Sequence, residues 1–422
     1  MTAPARLLTL NAGSSSLKFA LYEAGGASLT NLLRGQIAGI GRDATFGVGG
    51  ARDATSGVAT PLPLAPSRSS RSAATDRGDG RGKSNDVPDL STVRDHKGAI
   101  AALIGWLEAS GHAAALAGAG HRVVHGGGEF TTPVTVDTTT IERLAQFEPL
   151  APHHQPHNVA AIRALAAHRP DLKQIACFDT GFHATMPAVA TRLGLPRGLE
   201  SEGMRRYGFH GLSYEYVVGR LREDDRLPAR LIVAHLGNGC SICAIRDGRS
   251  IATTMGFSTL DGIAMATRSG AVDPGALIHL MRHGKSADEI EDILYNRSGL
   301  LGISGISADM KTLLESDAPA AREAIEFFCY RILREAGSLA ASLGGLDAIA
   351  FTGGIGENAA PVRARIAEGL GFLGLALDPR ANAANAAEIS TKASRMRAHV
   401  VRTDEERVIA RHTARMLGLA VS

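Results

Sequence analysis

Leu7-Leu-Thr-Leu-Asn-Ala-Gly-Ser-Ser-Ser-Leu-Lys18 is the first of three places where a short apolar strand leads into a glycine-bearing polar turn. The arrangement recurs in Leu231-Ile-Val-Ala-His-Leu-Gly-Asn-Gly239 and in Ala348-Ile-Ala-Phe-Thr-Gly-Gly-Ile-Gly-Glu-Asn358. Glycine lets a backbone approach an anion closely, and the N–H groups exposed at such turns donate hydrogen bonds to phosphate oxygens. Three such turns spread along one chain predict a nucleotide held between two lobes.

The composition narrows the class of protein. The chain has 422 residues, enough for two domains with separate cores, and its 44% hydrophobic and 21% charged content is typical of globular proteins. Because the formal net charge is only +3 and the arginines are dispersed, we expect no nucleic-acid surface. No apolar run reaches the ~18–20 residues needed to span a bilayer, and no signal peptide is evident, so we expect a cytoplasmic protein without a membrane partner.

The four cysteines are scattered along the chain and do not suggest a disulfide framework. Cys240-Ser-Ile-Cys243 has the spacing of a redox or zinc pair. It lies in a strand-like stretch, however, where positions three apart point to opposite faces. We therefore expect Cys177, Cys329 and this pair to be chemically inert.

Alternating strands and helices predict an α/β fold. The stretches 7–22 and 231–245 each predict a hairpin, which suggests a duplicated domain core. Residues 43–90 are rich in Ser, Arg, Gly and Asp and are interpreted as a low-complexity insertion. The predicted domains are 1–150 plus 385–422, and 151–384. The predicted helices are His96 to Ala109, Ile141 to Phe147, Asn158 to Ala167, Ala320 to Leu343, and Glu406 to Leu417, the last packing on the first domain.

Several polar residues follow predicted strands, where ligands bind in open α/β sheets. Arg122 and Arg268 lie beside glycine turns, and a guanidinium can contact a carboxylate or phosphate through two parallel hydrogen bonds. Asp179 ends an apolar strand, which suits a magnesium ligand or, alternatively, a helix N-cap. His210 is either a donor to a phosphoryl group or a buried structural histidine.

Other polar clusters are weaker candidates. His153, His154 and His157 have no Cys, Asp or Glu at ligand spacing, so we expect a cleft-lining loop there instead of a metal site. Glu357 and the run 404–406 could contact a metal, although acidic residues also favour the first turn of a helix. Neither a P-loop nor the protein-kinase motifs occur in the sequence.

Together these motifs resemble the acetate kinase family, within the acetate and sugar kinase/actin-like ATPase group. The resemblance covers nearly the whole chain except 43–90. It is carried by Asn11-Ala-Gly-Ser-Ser-Ser-Leu-Lys18, Gly120-His-Arg-Val-Val-His-Gly-Gly127, Phe178-Asp-Thr-Gly-Phe-His183, Tyr207-Gly-Phe-His-Gly211, His235-Leu-Gly-Asn-Gly239, Ala266-Thr-Arg-Ser-Gly270 and Phe351-Thr-Gly-Gly-Ile-Gly-Glu-Asn358.

The resemblance implies two actin-like (ribonuclease H-like) domains with a nucleotide cleft between them. It also implies reversible transfer of phosphate from ATP to acetate, giving ADP and acetyl phosphate, with magnesium (or manganese in its place) and in a homodimer. A carboxylate is already nucleophilic at neutral pH, so the catalyst needs to align two anions and neutralise charge on the transferred group. We therefore expect direct in-line transfer without a phosphoenzyme.

The resemblance also implies individual roles. Arg122 and Arg268 would contact the acetate carboxylate and the moving phosphoryl group, whose equatorial oxygens His210 would stabilise. Asp179 and Glu405 would position the metal, with Asn11 at its phosphate end. Val124, Phe209 and Thr259 would border the acyl pocket. The residues expected at the nucleotide are Lys18, His235, Leu236, Gly237, Asn238, Gly239, Asp309, Met310, Lys311, Gly354, Ile355, Gly356, Glu357 and Asn358.

The sequence departs from the family pattern in three places. Thr259-Leu-Asp-Gly262 replaces the usual Pro-Leu-Glu-Gly, His153 replaces leucine, and Lys311 stands where arginine is common. The first two changes make the expected pocket wall more polar, which leaves propionate and butyrate open as acceptors beside acetate. A function of another class, an ATP-driven actin-like clamp, is the remote alternative, because a clamp has no need of an arginine pair that binds a carboxylate.

Overall fold

The computed structural model describes residues 4–26, 28–50, 64–66, 87–91 and 93–421. The chain forms two compact units. Unit 1 comprises Met1–Gly181 and Glu405–Ser422, and unit 2 comprises Phe182–Asp404.

Unit 1 is built on an eight-stranded sheet with the order β5-β4-β3-β2-β1-β6-β8-β7. Its strands are β1 Ala5–Gly13, β2 Ser16–Gly25, β3 Ser28–Ala38, β4 Thr45–Gly50, β5 Leu64–Pro66, β6 Leu116–Val123, β7 Val134–Thr135 and β8 Lys173–Phe178. Its helices are α1 His96–Ala109, α2 Thr138–Ala145, α3 Gln155–His168 and α15 Glu405–Met416.

Both faces of this sheet are covered by helices. The strands β1, β6 and β8 run parallel to one another, while β1 and β2 form the predicted hairpin. Helices α1 and α3 contribute to a large apolar core on one face, and α15 packs on the other. Gly120 allows α15 to lie directly on β6, because a Cβ at this position would overlap Thr413 and Ile409. The prediction that the last helix packs on the first unit is confirmed.

Unit 2 contains a five-stranded sheet with the order β11-β10-β9-β12-β13. Its strands are β9 Arg230–Leu236, β10 Cys240–Arg246, β11 Arg249–Thr253, β12 Ala348–Thr352 and β13 Arg397–Val400. Its helices are α4 Ala188–Thr191, α5 Arg197–Ser201, α6 Gly211–Glu223, α7 Pro274–Arg282, α8 Ala287–Asn296, α9 Gly299–Ser304, α10 Met310–Leu314, α11 Pro319–Leu343, α12 Gly353–Asn358, α13 Ala360–Gly369 and α14 Pro379–Ala383.

The two sheets share one core topology. Strands β11, β10 and β9 are antiparallel neighbours and β9, β12 and β13 are parallel. The order and directions match those of β3-β2-β1-β6-β8 in unit 1. The duplicated core that the two glycine-turned hairpins suggested is therefore confirmed.

Three expectations differ from the structure. The insertion interpretation is wrong for residues 45–50 and 64–66, which form β4 and β5, because Phe46 is buried and stacks on Phe19 at 5.9 Å. Residues 51–63 and 67–86 of the same prediction lie outside the described residues. The units divide after residues 181 and 404 instead of 150 and 384, since α3 and β8 pack in unit 1.

The third difference concerns the last glycine turn. Residues Gly353–Asn358 form a short helix, with Gly353 at a φ of 77°.

Within the described residues, no helix is both long and apolar enough to cross a bilayer.

Candidate active site

Four polar residues of unit 1 converge at the carboxyl ends of its parallel strands, and we call them the Arg122 cluster. Asn11 lies near the end of β1, Arg122 near the end of β6, Asp179 directly after β8, and Glu405 at the start of α15. Arg122 donates to Asp179 through Nε (3.2 Å to Oδ1) and Nη2 (2.5 Å to Oδ2). Its Nη1 donates to Asn11 Oδ1 at 3.2 Å, and Glu405 Oε2 lies 3.8 Å from Nε.

Burial controls the charges of the Arg122 cluster. Only 1% of Asp179 is exposed, and burial raises the pKa of this carboxyl group while Arg122 opposes the change. Burial also raises the pKa of Glu405 to about 7, against the attraction of Arg122 and with the repulsion of Asp179. Burial alone would lower the pKa of Arg122, but Asp179 and Glu405 hold it above its ordinary value. One permanent cation thus faces two carboxyl groups.

The donors of the Arg122 cluster suit a magnesium ion. Two carboxylates and an amide oxygen are hard ligands, and Mg²⁺ takes one or two protein carboxylates while retaining waters and substrate phosphates. No group of three or more His, Cys, Asp or Glu in the described part of the chain has a metal-binding arrangement. A metal ion held by the Arg122 cluster would need its remaining ligands from other molecules, such as water.

Lys18 and Val124 also lie beside the Arg122 cluster. Lys18 is exposed, pairs with Asn11 across the β1–β2 hairpin, and lowers the pKa of Glu405 by its charge. Val124 follows β6 and is buried. The structure thus brings Lys18, predicted to bind the nucleotide, next to the residues predicted to bind metal.

Asn158 is a supporting residue that the sequence analysis missed. Its Oδ1 accepts from the Val124 N–H at 2.9 Å, and its Nδ2 donates to the Ala12 carbonyl at 2.8 Å. It therefore ties the first glycine turn to the strand end that carries Arg122. The available signal was the spacing of Gln155 and Asn158, two amides three residues apart, which places both on one face of a helix.

In unit 2, His210 and His235 form a second cluster, which we call the histidine pair. Their rings stack with centroids 4.3 Å apart. His210 precedes α6 in a left-handed conformation (φ 60°, ψ 25°), which is uncommon for a residue with a side chain. Ser241 Oγ lies 2.8 Å from His210 Nδ1, and Ser213 Oγ lies 2.8 Å from His235 Nδ1. Each imidazole is thus fixed by one serine and by its neighbour.

The turn that carries His210 is fixed by a histidine of the Asp-Thr-Gly-Phe-His motif. His183 is buried, and its Nε2 lies 3.0 Å from the Phe209 carbonyl. Because a carbonyl only accepts, His183 carries a proton on Nε2, and its Nδ1 accepts from Ser250 Oγ at 2.9 Å. Burial lowers the pKa of His183 to about 4, so the ring is neutral at physiological pH. This histidine is structural, and it holds Phe209 buried.

Gly239 lies against the histidine pair. A Cβ at this glycine would lie 3.2 Å from His210 Nε2 and 3.8 Å from Arg268 Nη1, so both groups face the same backbone. Arg268 donates to the Thr259 carbonyl at 3.2 Å, and its guanidinium lies 5.9 Å from the centre of the Tyr295 ring. The structure therefore brings Arg268 and His210, both predicted to contact the phosphoryl group, close to each other in unit 2. Thr259, predicted to border the acyl pocket, contacts Arg268.

The predicted nucleotide segments include the β9–β10 turn and α12. In the turn, the Gly237 N–H donates to the Gly239 carbonyl at 3.1 Å, the Asn238 carbonyl accepts from Ala266 at 3.3 Å, and Leu236 is buried. In α12, Glu357 Oε1 accepts from the N–H groups of Gly353 and Thr403, both at 3.1 Å. The carboxylate of Glu357 thus stabilises the local backbone.

Arg363 is a second supporting residue that the sequence analysis missed. It is fully buried and donates from Nη1 to the Gly356 carbonyl at 2.9 Å and from Nε to Asn382 Oδ1 at 2.8 Å. Burial lowers its pKa to about 10, which leaves it charged at neutral pH. No sequence signal distinguishes it from the other arginines of the chain.

The third nucleotide segment has a different local structure. Asp309 caps α10, with Oδ1 accepting from the Thr312 N–H at 2.8 Å, and Met310 is buried. The side chain of Lys311 is 83% exposed and lies 3.9 Å from Glu315. The burial of Met310 leaves its backbone, and not its side chain, as the part of this residue that could contact a ligand.

The remaining sequence candidates are not part of either cluster. His157 lies against His96, with ring centroids 4.9 Å apart, while His153 is exposed. All four cysteines are buried, and none of them forms a disulfide. Burial raises the pKa of Cys240 and of Cys243 to about 12, so both thiols keep their protons at neutral pH, as expected for inert cysteines.

Comparison with known proteins gives a consistent set of relatives. The family described as the Acetokinase family matches residues 77–411. An acetate kinase of Rhodopseudomonas palustris is 50% identical over 97% of this chain and 98% of its own length, and one of Methylocella silvestris is 46% identical with the same coverage.

Solved structures agree with these relatives. A propionate kinase from Francisella tularensis has a TM-score of 0.83 at 33% identity and covers 97% of this chain and 99% of its own. Porphyromonas gingivalis acetate kinase has a TM-score of 0.81 at 31% identity, with coverage of 98% and 100%. These likenesses confirm the predicted fold class, α/β with two actin-like domains.

Proposed function

This chain belongs to the acetokinase family, and we propose that it transfers the γ-phosphoryl group of ATP to acetate, reversibly giving ADP and acetyl phosphate. Family membership and relatives named as acetate kinases favour this phosphotransferase over an ATP-driven clamp. The observation that carries the proposal is the Arg122 cluster, in which a guanidinium is held at a strand end among two carboxyl groups and an amide.

Arg122 is proposed to bind the acetate carboxylate. Asp179 fixes the guanidinium plane through two hydrogen bonds, and Asn11 holds its third nitrogen. A guanidinium fixed in this way loses little conformational freedom when an anion binds to it. Val124, with its N–H fixed by Asn158, is proposed to border the methyl group together with Phe209 and Thr259.

Asp179, Glu405 and Asn11 are the residues that would hold magnesium. When bound, the ion neutralises phosphate charge and orients the γ-phosphoryl group for transfer. The two acids are well suited, because burial disfavours their simultaneous ionisation and only one arginine compensates them.

His210 and Arg268 are proposed to stabilise the phosphoryl group as it moves. Both face Gly239, where backbone without a side chain admits the phosphates. The segments 235–239, 309–311 and 354–358, with Lys18, are proposed to bind the nucleotide. Because the acceptor carboxylate is nucleophilic and the enzyme supplies only positioning and positive charge, transfer is direct and in line, without a phosphoenzyme.

A hydroxamate assay for acyl phosphate tests the proposal. The purified chain, ATP and magnesium are incubated with formate, acetate, propionate or butyrate, and acetate is expected to give the highest kcat/KM. An extra methylene in a fitted pocket is worth about 1–3 kcal/mol, so a clear ranking is expected. ATP hydrolysis at the same rate with and without any acid would refute the kinase and favour the clamp.

Three further properties belong to this proposal. We expect a homodimer, as implied by the family resemblance, which sedimentation analysis would test. We expect magnesium to be replaceable by manganese, since both prefer oxygen ligands. We also expect a cytoplasmic location, where ATP is available and cysteines remain reduced.

A further inference from the structure

Tyr214 is a fully buried tyrosine one helical turn after His210. Its N–H donates to the His210 carbonyl at 3.1 Å, which fixes the start of α6. Its phenol oxygen lies 2.5 Å from Ser241 Oγ, and the same Ser241 oxygen lies 2.8 Å from His210 Nδ1. Phenol, hydroxyl and imidazole thus form a continuous chain that begins in the core of unit 2.

The direction of this chain follows from counting its protons. Burial raises the pKa of the Tyr214 phenol well above its ordinary value, so the phenol keeps its proton. Ser241 Oγ is the hydrogen-bond partner of that phenol in the described part of the chain. A buried O–H group that did not donate to its neighbour would remain an unsatisfied donor, which is costly. Tyr214 therefore donates and Ser241 accepts.

Ser241, which accepts from the phenol, can donate its single hydroxyl proton to a second partner. Ser241 is fully buried, and its second neighbour is His210 Nδ1. If Ser241 donates to Nδ1, that nitrogen accepts and carries no proton, so a neutral His210 has its proton on Nε2. The opposite arrangement, with Nδ1–H donating to Ser241 and Ser241 to the phenol, leaves the Tyr214 proton without an acceptor.

Nε2 is the nitrogen that faces the glycine turn. A Cβ on Gly239 would lie 3.2 Å from it, and Arg268 Nη1 faces the same point. The stack on His235 and the left-handed backbone fix the plane and position of the ring. A proton on Nε2 is thus directed at the place where a phosphoryl oxygen would approach.

We propose that Tyr214 and Ser241 are positioning residues, forming a hydrogen-bond relay that keeps the proton of neutral His210 on Nε2, as a donor to the transferred phosphoryl group. The catalytic meaning of the relay rests on the proposed phosphotransferase function. The positions of the protons in the relay do not depend on that function, so the relay and the function can be tested separately.

The first test is the tautomer of His210 in the intact protein. The full chain is labelled with ¹⁵N-histidine, and the ring nitrogens are observed by NMR at about pH 8, above the ordinary histidine pKa. The His210 signals are assigned as those absent from a His210→Asn variant. We expect a protonated Nε2 and an unprotonated Nδ1. A proton on Nδ1 would overturn the relay whether or not the chain forms acyl phosphate.

The second test is a double-mutant cycle on turnover. Ser241→Ala should lower kcat about 10- to 100-fold, as losses of groups that orient a functional histidine do, with KM for ATP nearly unchanged. Tyr214→Phe should have a smaller effect. Combining the two should cost no more than Ser241→Ala alone, because the phenol acts only through the serine. Ser241→Thr, which keeps the hydroxyl, should restore most of the rate.

Ser394→Ala is the matched control. Ser394 is also a buried serine of unit 2, and its hydroxyl accepts from the Ala376 N–H at 2.8 Å and donates to the Met396 carbonyl at 2.6 Å, without contact to either histidine. Its loss should lower thermal stability about as much as Ser241→Ala while kcat is retained. Equal kcat losses in both serine variants, or additive losses from Tyr214→Phe and Ser241→Ala, would show a merely structural effect and refute the proposal.

Discussion

Replacement of Arg122 by alanine is expected to destabilise unit 1 by about 3–5 kcal/mol, the usual cost of stranding one partner of a buried ion pair. The structure indicates this magnitude because both oxygens of Asp179 accept from Arg122 and the carboxylate is only 1% exposed. Glu405, whose Oε2 is 3.8 Å from the guanidinium, also loses its compensating charge. At roughly 2–4 °C per kcal/mol for a unit of this size, the transition should fall by about 6–20 °C.

The chain offers a matched control and a specific probe. Arg169 makes the same two-bond contact with Asp171, at 3.1 and 3.0 Å, but Asp171 is mostly exposed. Arg169→Ala should therefore cost at most about 1 kcal/mol. Trp106, the single tryptophan of the chain, is buried in the core of unit 1, so its fluorescence during urea unfolding reports this unit.

A second substitution identifies the source of the loss. In the Arg122→Ala background, Asp179→Asn removes the stranded charge and should recover about 1 kcal/mol or more. Equal urea midpoints for Arg122→Ala and Arg169→Ala would refute the reasoning. So would a further loss of stability on adding Asp179→Asn.

Four other changes test the remaining assignments. Asp179→Asn alone should raise the magnesium concentration needed for half-maximal rate about 10- to 100-fold, and an unchanged magnesium titration would remove this residue from the metal site. Arg268→Ala should lower kcat by about 10²–10³ with ATP affinity nearly intact, whereas near-normal turnover would exclude it from catalysis. Arg363→Met should weaken ATP binding about tenfold, because the carbonyl of Gly356 in the proposed nucleotide segment loses its donor. Calorimetry would measure the affinity, and a wild-type value would contradict this assignment. Burial lowers the pKa of His121 from 6.5 to about 4, so the contribution of this residue to stability should be full above pH 6.5 and fall by about 2 kcal/mol at pH 5. His121→Phe should remove this share of the acid-induced loss in urea unfolding, and a variant that loses as much stability as the wild type would contradict the assignment.

Much of the fold was predictable because its signals are local. The hairpin 7–22 and the helix His96–Ala109 follow from apolar spacing and turn residues, and both occur in the structure. The strand Thr45–Gly50 was not recognised, because its glycines hide the alternation and a single residue, Phe46, anchors it. Domain boundaries also depend on packing between distant segments, which periodicity does not report.

The proposed active-site residues also differ in how far the sequence reveals them. Arg122, Asp179 and His210 were proposed from the sequence because each stands beside a glycine turn or a strand end, which is where ligands bind in open α/β sheets. Tyr214 and Ser241 were not, because they lie on the buried faces of α6 and β10, where tyrosine and serine are ordinary core residues. Their proposed role follows only from the tertiary structure, in which a helix and a strand bring a phenol, a hydroxyl and an imidazole within hydrogen-bonding distance. The residues proposed for catalysis therefore leave a signal in the local sequence, whereas the hydroxyl groups proposed to set the proton of His210 become visible only through tertiary contacts.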